Sequence, residues 1–367
     1  MERMSGLGLG LALALAPLPL AATAAAQQTA PPVVDRTLLP YASSRDSVRL
    51  PDGRTLHLVC MGKGRPVVIL TAGAGDWGIA WSKVQPAVAE TTRVCAWDRA
   101  GFGLSAISPK PQTVDAATTD LEAALKLGGL DGPYVVVGHS LGAFESLLLA
   151  DRQPSKVVGM VLVDPSIPDQ AARFDRVTPA IADWMRTHQS PLLGLFKTCA
   201  AALRAGTVRP GGPDPDGCLH PPPSPPTYPP ELRTELDGRA GRASPETVAA
   251  AMDTLAFYSS PELLRQDSQI VVRPDRNYGR MPLVVLTAGD FEAPPDFPAA
   301  ARAEIPLQRA EWARAHDAYA ALSTRGVNRT VAGSSHYIQQ QKPQAVIDAI
   351  DEVVAQARAA APPKRPR

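Results

Sequence analysis

The chemistry in this chain is concentrated around one pentapeptide. Gly138-His139-Ser140-Leu141-Gly142 lies between the apolar run PYVVV and the helical pattern AFESLLLADRQ. A G-x-S-x-G sequence that joins a strand to a helix forms a tight, strained turn, so the positions flanking the serine must be small. The turn lifts the serine hydroxyl to the end of the sheet and aims it at the helix N-terminus. Serine at its own pKa is a weak nucleophile and needs a base. Six histidines are available. His139 adjoins Ser140, but neighbouring side chains at such a turn diverge, which gives it a structural reading. His57 alternates within a strand. His188, His220 and His316 fall in a helical insert, a proline-rich loop and a helix, where surface or packing roles are the plain expectation. His336 differs, because GSSHYIQQQKP places it in a loop between the last strand and the last helix. A loop at the C-terminal edge of a parallel sheet can bring its ring to Ser140.

A second glycine-rich stretch, VVILTAGAGDWGIAW, allows two chemistries. Gly73, Gly75 and Gly78 have the G-x-G-x-x-G spacing of a dinucleotide-binding turn, and Asp98 ends the next strand at 98 − 78 = 20 residues, where a ribose-binding acid is expected. That fold needs a helix starting inside the glycine turn. Pro86 would then fall deep inside the helix, at a cost of about 3 kcal/mol. A helix starting near Val84 instead puts Pro86 in the first turn, where it is tolerated. Asp98 is followed by Arg99-Ala100-Gly101, which reads as a turn. The stretch is better read as a loop that holds an oxyanion. DPDG at 214–217 lacks the spaced ligands and terminal Glu of a calcium loop, so neither a metal nor a cofactor is expected.

These residues need a sheet to position them, and the order of elements supplies one. DSVRL-PDGR-TLHLVC reads as a hairpin. PVVIL, RVCAWD, PYVVVGHS and KVVGMVLVDP read as strands alternating with helices SKVQPAVAETT, TVDAATTDLEAALKLGG and LGAFESLLLADRQ. Near-continuous apolar strands in this alternation argue for a mostly parallel sheet covered on both faces. The alternation stops near Ser166 and resumes with PLVVLTAG, the helix QRAEWARAHDAYAALS, the strand NRTVAG and the helix QAVIDAIDEVVAQARA. The interval 166–280 is helical and proline-rich, and reads as a cap inserted between core segments 27–165 and 281–357. Residues 358–367 read as a disordered tail. Within the cap, Trp184, Leu192, Leu193, Phe196, Phe257 and Tyr258 could line a pocket, although the cap's own core is the expectation for them.

The chain has 367 residues, 45% hydrophobic and 20% charged, with a formal net charge of +1. That balance gives no electrostatic argument for nucleic acid or an anionic membrane. Residues 1–26 read as a secretory signal: Arg3, an uncharged run and the triplet Ala24-Ala25-Ala26. The alternative is an uncleaved membrane anchor. The expected location is therefore secreted or periplasmic, with no stable span after cleavage. Four cysteines, Cys60, Cys95, Cys199 and Cys218, have no C-x-x-C spacing; an even count in an exported chain points to up to two bridges.

AGAG after a strand, DRAGFGLS at 98–105, GHSLG and SSHYI occur in that order. With these motifs the chain resembles an α/β-hydrolase of the lipase/esterase-like group with a cap, over about residues 45–357. The resemblance implies an eight-stranded, mostly parallel sheet with helices on both faces, and a serine hydrolase acting on a small-molecule carboxylic ester. It implies a triad in the order Ser140, acid, His336, with no cofactor. The backbone N–H groups of Ala74 and Leu141 would bind the oxyanion; Ala72 stands where the family commonly has histidine. The acid is open at this level. Asp164, at the strand end VLVDPS, ranks first because a rigid strand end orients a histidine better than a long loop. Asp290 ranks next and Glu292 third, both in the loop after PLVVLTAG. The family's second strand runs antiparallel beside the fourth, which implies a Cys60–Cys95 bridge. A Cys199–Cys218 bridge would pin the proline-rich loop. An acyltransferase, or a non-catalytic binding protein on the same scaffold, are the alternatives. Oligomeric state is not legible.

Overall fold

The computed structural model describes residues 32–360, except 111, 220–222, 259 and 292. The signal-like segment 1–26, Glu292 and the residues after 360 lie outside the described residues. The strands are β1 (Val48–Arg49), β2 (Thr55–Leu56), β3 (Leu58–Met61), β4 (Val67–Thr71), β5 (Val94–Trp97), β6 (Tyr134–His139), β7 (Val157–Val163), β8 (Leu283–Ala288) and β9 (Gly326–Val331). The main sheet has the order β3-β5-β4-β6-β7-β8-β9, and β3 is its antiparallel member.

The main sheet therefore has seven strands rather than eight. The run TLHLVC is broken at His57, whose backbone N–H donates to Ser105 Oγ at 2.8 Å and whose ring turns to Asp98. Thr55–Leu56 is left to pair with β1 in a separate two-stranded ribbon.

Helices α1 (Gln85–Thr91), α2 (Val114–Leu127) and α3 (Gly142–Arg152) connect the first strands; α9 (Ala299–Ala320), α10 (Ile338–Gln341) and α11 (Pro343–Ala360) accompany the last. Successive strand side chains point to opposite faces, and this divides the core in two. Val67 and Ile69 join the layer containing Leu121, Leu125, Phe144 and Leu147 of α2 and α3. Val68 and Leu70 join the layer with Val88 of α1 and Ile350 and Val353 of α11. The glycine loop runs into a single 3-10 turn, Gly78–Trp81, and the first α-helix opens only at Gln85 and Pro86, so no α-helix starts in the loop to face a pyrophosphate.

The cap consists of α4 (Gln170–Val177), α5 (Pro179–Ala205), α6 (Pro230–Arg242), α7 (Pro245–Tyr258) and α8 (Pro261–Val271). Its small core gathers Ala200, Leu203 and Ala249 around the Cys199–Cys218 disulfide. Two buried side chains of α8 hold it in place, Asp267 against the core and Ser268 against the start of the same 166–280 interval. Asp267 Oδ1 accepts the N–H of Val114, the first residue of α2, at 3.0 Å, and Ser268 Oγ accepts the N–H of Asp169 at 2.9 Å. Phe257 and Tyr258 are not interior to the cap: both pack on the main core, with Tyr258 edge-on to Phe102. Helix α9 starts at Ala299, ahead of the expected QRAEW segment, because it runs through Pro306 rather than breaking there. Helix α11 continues to Ala360, three residues past the expected boundary at 357. Among the described residues, no helix is long and apolar enough to cross a membrane.

Candidate active site

The residues singled out in the sequence come from different strands but meet at one edge. Ala74 follows β4, Ser140 follows β6, Asp164 follows β7 and His336 follows β9. These are the C-terminal ends of parallel strands, where an α/β sheet opens its crevice.

Ser140 has φ 53°, in the left-handed region. The two flanking glycines are required by close approach. A Cβ on Gly138 would lie 2.4 Å from the Gly142 carbonyl oxygen, and one on Gly142 would lie 2.5 Å from that of Thr71. Only three non-glycine residues among those described have positive φ: Ser140, Asp164 at 41° and Asp169 at 53°. Such backbone costs of order 1–3 kcal/mol and persists only where surroundings impose it. Here the Ser140 carbonyl accepts the N–H of Ser166 at 3.0 Å, and Asp164 N–H donates to Leu286 at 2.7 Å. The two strained turns thereby brace each other.

Of the two described candidate acids, Asp164 is the one beside His336. Asp164 Oδ2 accepts His336 Nδ1–H at 2.6 Å. Its other oxygen accepts from the Ala288 N–H and the Trp312 indole N–H, both at 2.9 Å. Burial pushes the Asp164 carboxyl upward, but the hydrogen bond and charge of His336, with His316 and the Ala288 N–H, outweigh it and hold the group below its ordinary value. Asp290 makes only a backbone bond to Ser334, through its N–H, and its carboxylate has no hydrogen bond to His336.

With Nδ1 engaged, His336 Nε2 has no hydrogen-bond partner among the described residues. Ser140 Oγ lies 3.4 Å from Ser166 Oγ. The loop carrying His336 is fixed from below by His139, which donates Nε2–H to the His336 carbonyl at 2.9 Å and packs its ring on His336 and Tyr337. Burial, reinforced by the nearby His336, pushes the His139 pKa down to about 3, so the ring is neutral. No hydrogen bond within the described residues occupies the N–H of Ala74 or of Leu141.

The glycine loop is held by a group the sequence reading missed. Arg99 is buried and donates to the carbonyls of Ala72 (2.6 Å) and Gly73 (2.8 Å), while Glu145 on α3 neutralises it through two hydrogen bonds. Asp98 is equally buried. It accepts the Gly78 N–H at 2.8 Å, the Leu104 N–H at 2.9 Å and His57 Nδ1–H at 2.7 Å, so it is a turn organiser and no ribose ligand. Among the described residues, no group of His, Cys, Asp or Glu could hold a metal ion.

The family model described as the alpha/beta hydrolase family matches residues 67–349. The chain belongs to this family. Lipase LipV of Mycobacterium tuberculosis is similar at 35% identity over 127 residues, 34% of this chain and 48% of that protein. The chain spans less than half the length of the curated relatives it matches. Two solved structures share the fold. A thermophilic esterase from Thermogutta terrifontis superposes with TM-score 0.50 at 20% identity, over 85% of this chain and 98% of that one. An epoxide hydrolase from Bacillus megaterium gives TM-score 0.52 at 15% identity, over 84% and 99%.

Proposed function

We propose that this hydrolase-family chain is an exported serine hydrolase that cleaves a carboxylic ester of a small molecule. The observation that carries the reading is the Asp164–His336 hydrogen bond at the sheet edge where Ser140 holds its strained turn. In this mechanism Asp164 fixes the His336 tautomer with Nδ1 protonated, which leaves Nε2 as the base. Nε2 takes the Ser140 proton as Oγ attacks the acyl carbon. The Ala74 and Leu141 N–H groups receive the developing oxyanion. His336 returns the proton to the leaving alcohol, and water then releases the acyl group by the same steps in reverse. Arg99 keeps Ala72 and Gly73 in place, so the oxyanion loop does not reorganise during reaction.

The esterase and lipase names among similar proteins support ester chemistry. Epoxide-hydrolase chemistry resembles cases with an aspartate nucleophile, and Ser140 at the turn speaks against it. Export is supported by the Cys60–Cys95 and Cys199–Cys218 disulfides, since such bonds persist in oxidising compartments. The test is turnover of a p-nitrophenyl ester by purified Ser140→Ala protein. Activity should vanish while the circular dichroism spectrum is kept; near-wild-type turnover would overturn the mechanism.

A further inference from the structure

The net charge of +1 conceals an uneven distribution. At the end of the sheet opposite the catalytic edge, the loops entering the parallel strands carry cations. Lys63 and Arg65 precede β4 and Arg93 precedes β5. Lys126 lies at the end of α2, and Arg45 and Arg49 flank the β1–β2 ribbon. None of these six makes an ion pair among the described residues. Several arginines elsewhere are neutralised: Arg54 pairs with Asp52 and Asp120, Arg152 with Asp115 and Glu122, Arg276 with Asp151.

Five of the six are also grouped around concave surface, while Lys126 lines a separate cavity with Glu122. Arg45, Arg49 and Arg93 line a cavity of about 400 Å³ beside the Cys60–Cys95 bridge. Lys63, Arg65 and Arg93 line an adjoining one of about 170 Å³. The carboxylate in the first cavity, Asp46, is engaged with the Cys60 N–H at 3.3 Å. Leu127, 54% exposed, stands in the same lining, an apolar side chain ringed by positive charge. Clustered cations around an exposed apolar residue match the headgroup layer of an anionic bilayer, where phosphates meet the charges and the apolar side chain reaches the acyl boundary.

We propose that this face is a peripheral docking surface for an anionic lipid membrane. Docked this way, the catalytic edge faces away from the bilayer. The enzyme is thereby presented to esters in the aqueous phase rather than to lipid in the surface it sits on.

Co-sedimentation of the full chain with vesicles tests this. At low salt the protein should pellet with vesicles of phosphatidylglycerol and phosphatidylcholine in equal parts, but not with phosphatidylcholine alone, and about 0.5 M NaCl should release it. The variant Arg45→Glu/Arg93→Glu/Lys126→Glu should bind the anionic vesicles at least about tenfold more weakly. Its hydrolysis of a soluble ester should match the wild type, since all three lie at the far end of the sheet, and this also verifies folding. The variant Lys110→Glu/Arg176→Glu/Lys197→Glu makes the same net charge change on exposed residues outside this face and should retain most of the binding. Equal loss in both triple variants would overturn the proposal, as would wild-type binding indifferent to phosphatidylglycerol. Tight binding of inorganic phosphate without vesicle binding would overturn it too, making the cavity a site for a free anion.

Discussion

Two buried aspartates at the same edge of the sheet each hold a histidine through its Nδ1, at nearly the same distance. His57 Nδ1 meets Asp98 at 2.7 Å, and His336 Nδ1 meets Asp164 at 2.6 Å. They differ in what the second ring nitrogen does. His57 Nε2 lies 2.9 Å from the Ser43 carbonyl, and both side chains of that pair are only 1% exposed. His336 is 41% exposed at the side chain, and its Nε2 has no hydrogen-bond partner among the described residues. An aspartate–histidine hydrogen bond is therefore no mark of catalysis. What separates the two pairs is an unengaged ring nitrogen, on a ring whose loop leaves the same sheet edge as the strained turn at Ser140. The first pair closes the corner between β3, β5 and the turn at 98–105; the second is open to solvent on its histidine side.

This contrast can be broken most sharply through the acids. Asp164→Asn keeps the acceptors for Ala288 and Trp312 but lets His336 take the wrong tautomer, so kcat should fall about 10⁴-fold with little change in melting temperature. Asp98→Asn should do the reverse. Breaking a buried pair costs about 3–5 kcal/mol, which denaturant titration would measure, while turnover per folded molecule stays at the wild-type level. A loss of turnover without loss of stability in Asp98→Asn would erase the distinction between the pairs.

A smaller effect comes from the buried neutral ring beneath the site. The folded His139 pKa is about 3 against an ordinary 6.5, so between those values the unfolded chain binds a proton that the folded one refuses. Stability from this group is present above pH 6.5 and drains as pH falls toward 3, by about 1.4 kcal/mol per pH unit. Asp267 opposes it: burial pushes that carboxyl up to about 7, so its contribution falls as pH rises from its ordinary value of 3.8 through 7. The His139 share is read as the difference between wild type and His139→Gln, whose stability should decline less steeply below pH 6.5. Parallel curves for the two proteins would show that the ring carries no such linkage.

The contrast also marks what the sequence could reveal. Ser140 and His336 were legible because their neighbours are constrained locally: small residues beside the one, a strand-to-helix loop around the other. For the acid, the sequence favours Asp164 over Asp290 on the rigidity of a strand end, and the fixing of that carboxylate by Ala288 and Trp312 accords with the role proposed for it. The Cys60–Cys95 pairing is implied by the family resemblance, which sets the second strand beside the fourth, and Cys199–Cys218 is the remaining pair, across the proline-rich loop. The His57–Asp98 and Arg99–Glu145 pairs were invisible, since their members lie 41 and 46 residues apart and no local period links them. The same long-range pull on His57 ended the second strand early and removed one strand from the main sheet. Helix α9 begins earlier than the segment QRAEW because it runs through Pro306, and the turn before that proline is anchored by Ala301 and Ile305 in a cluster with Ile181 and Phe297.

The most direct test of the central claim is the rate at which a fluorophosphonate probe labels Ser140, since only an activated serine reacts. The account predicts rapid labelling in the wild type, labelling slower by orders of magnitude in Asp164→Asn, and wild-type labelling of the folded fraction in Asp98→Asn. Labelling of Ser140 that is unaffected by Asp164→Asn would contradict it.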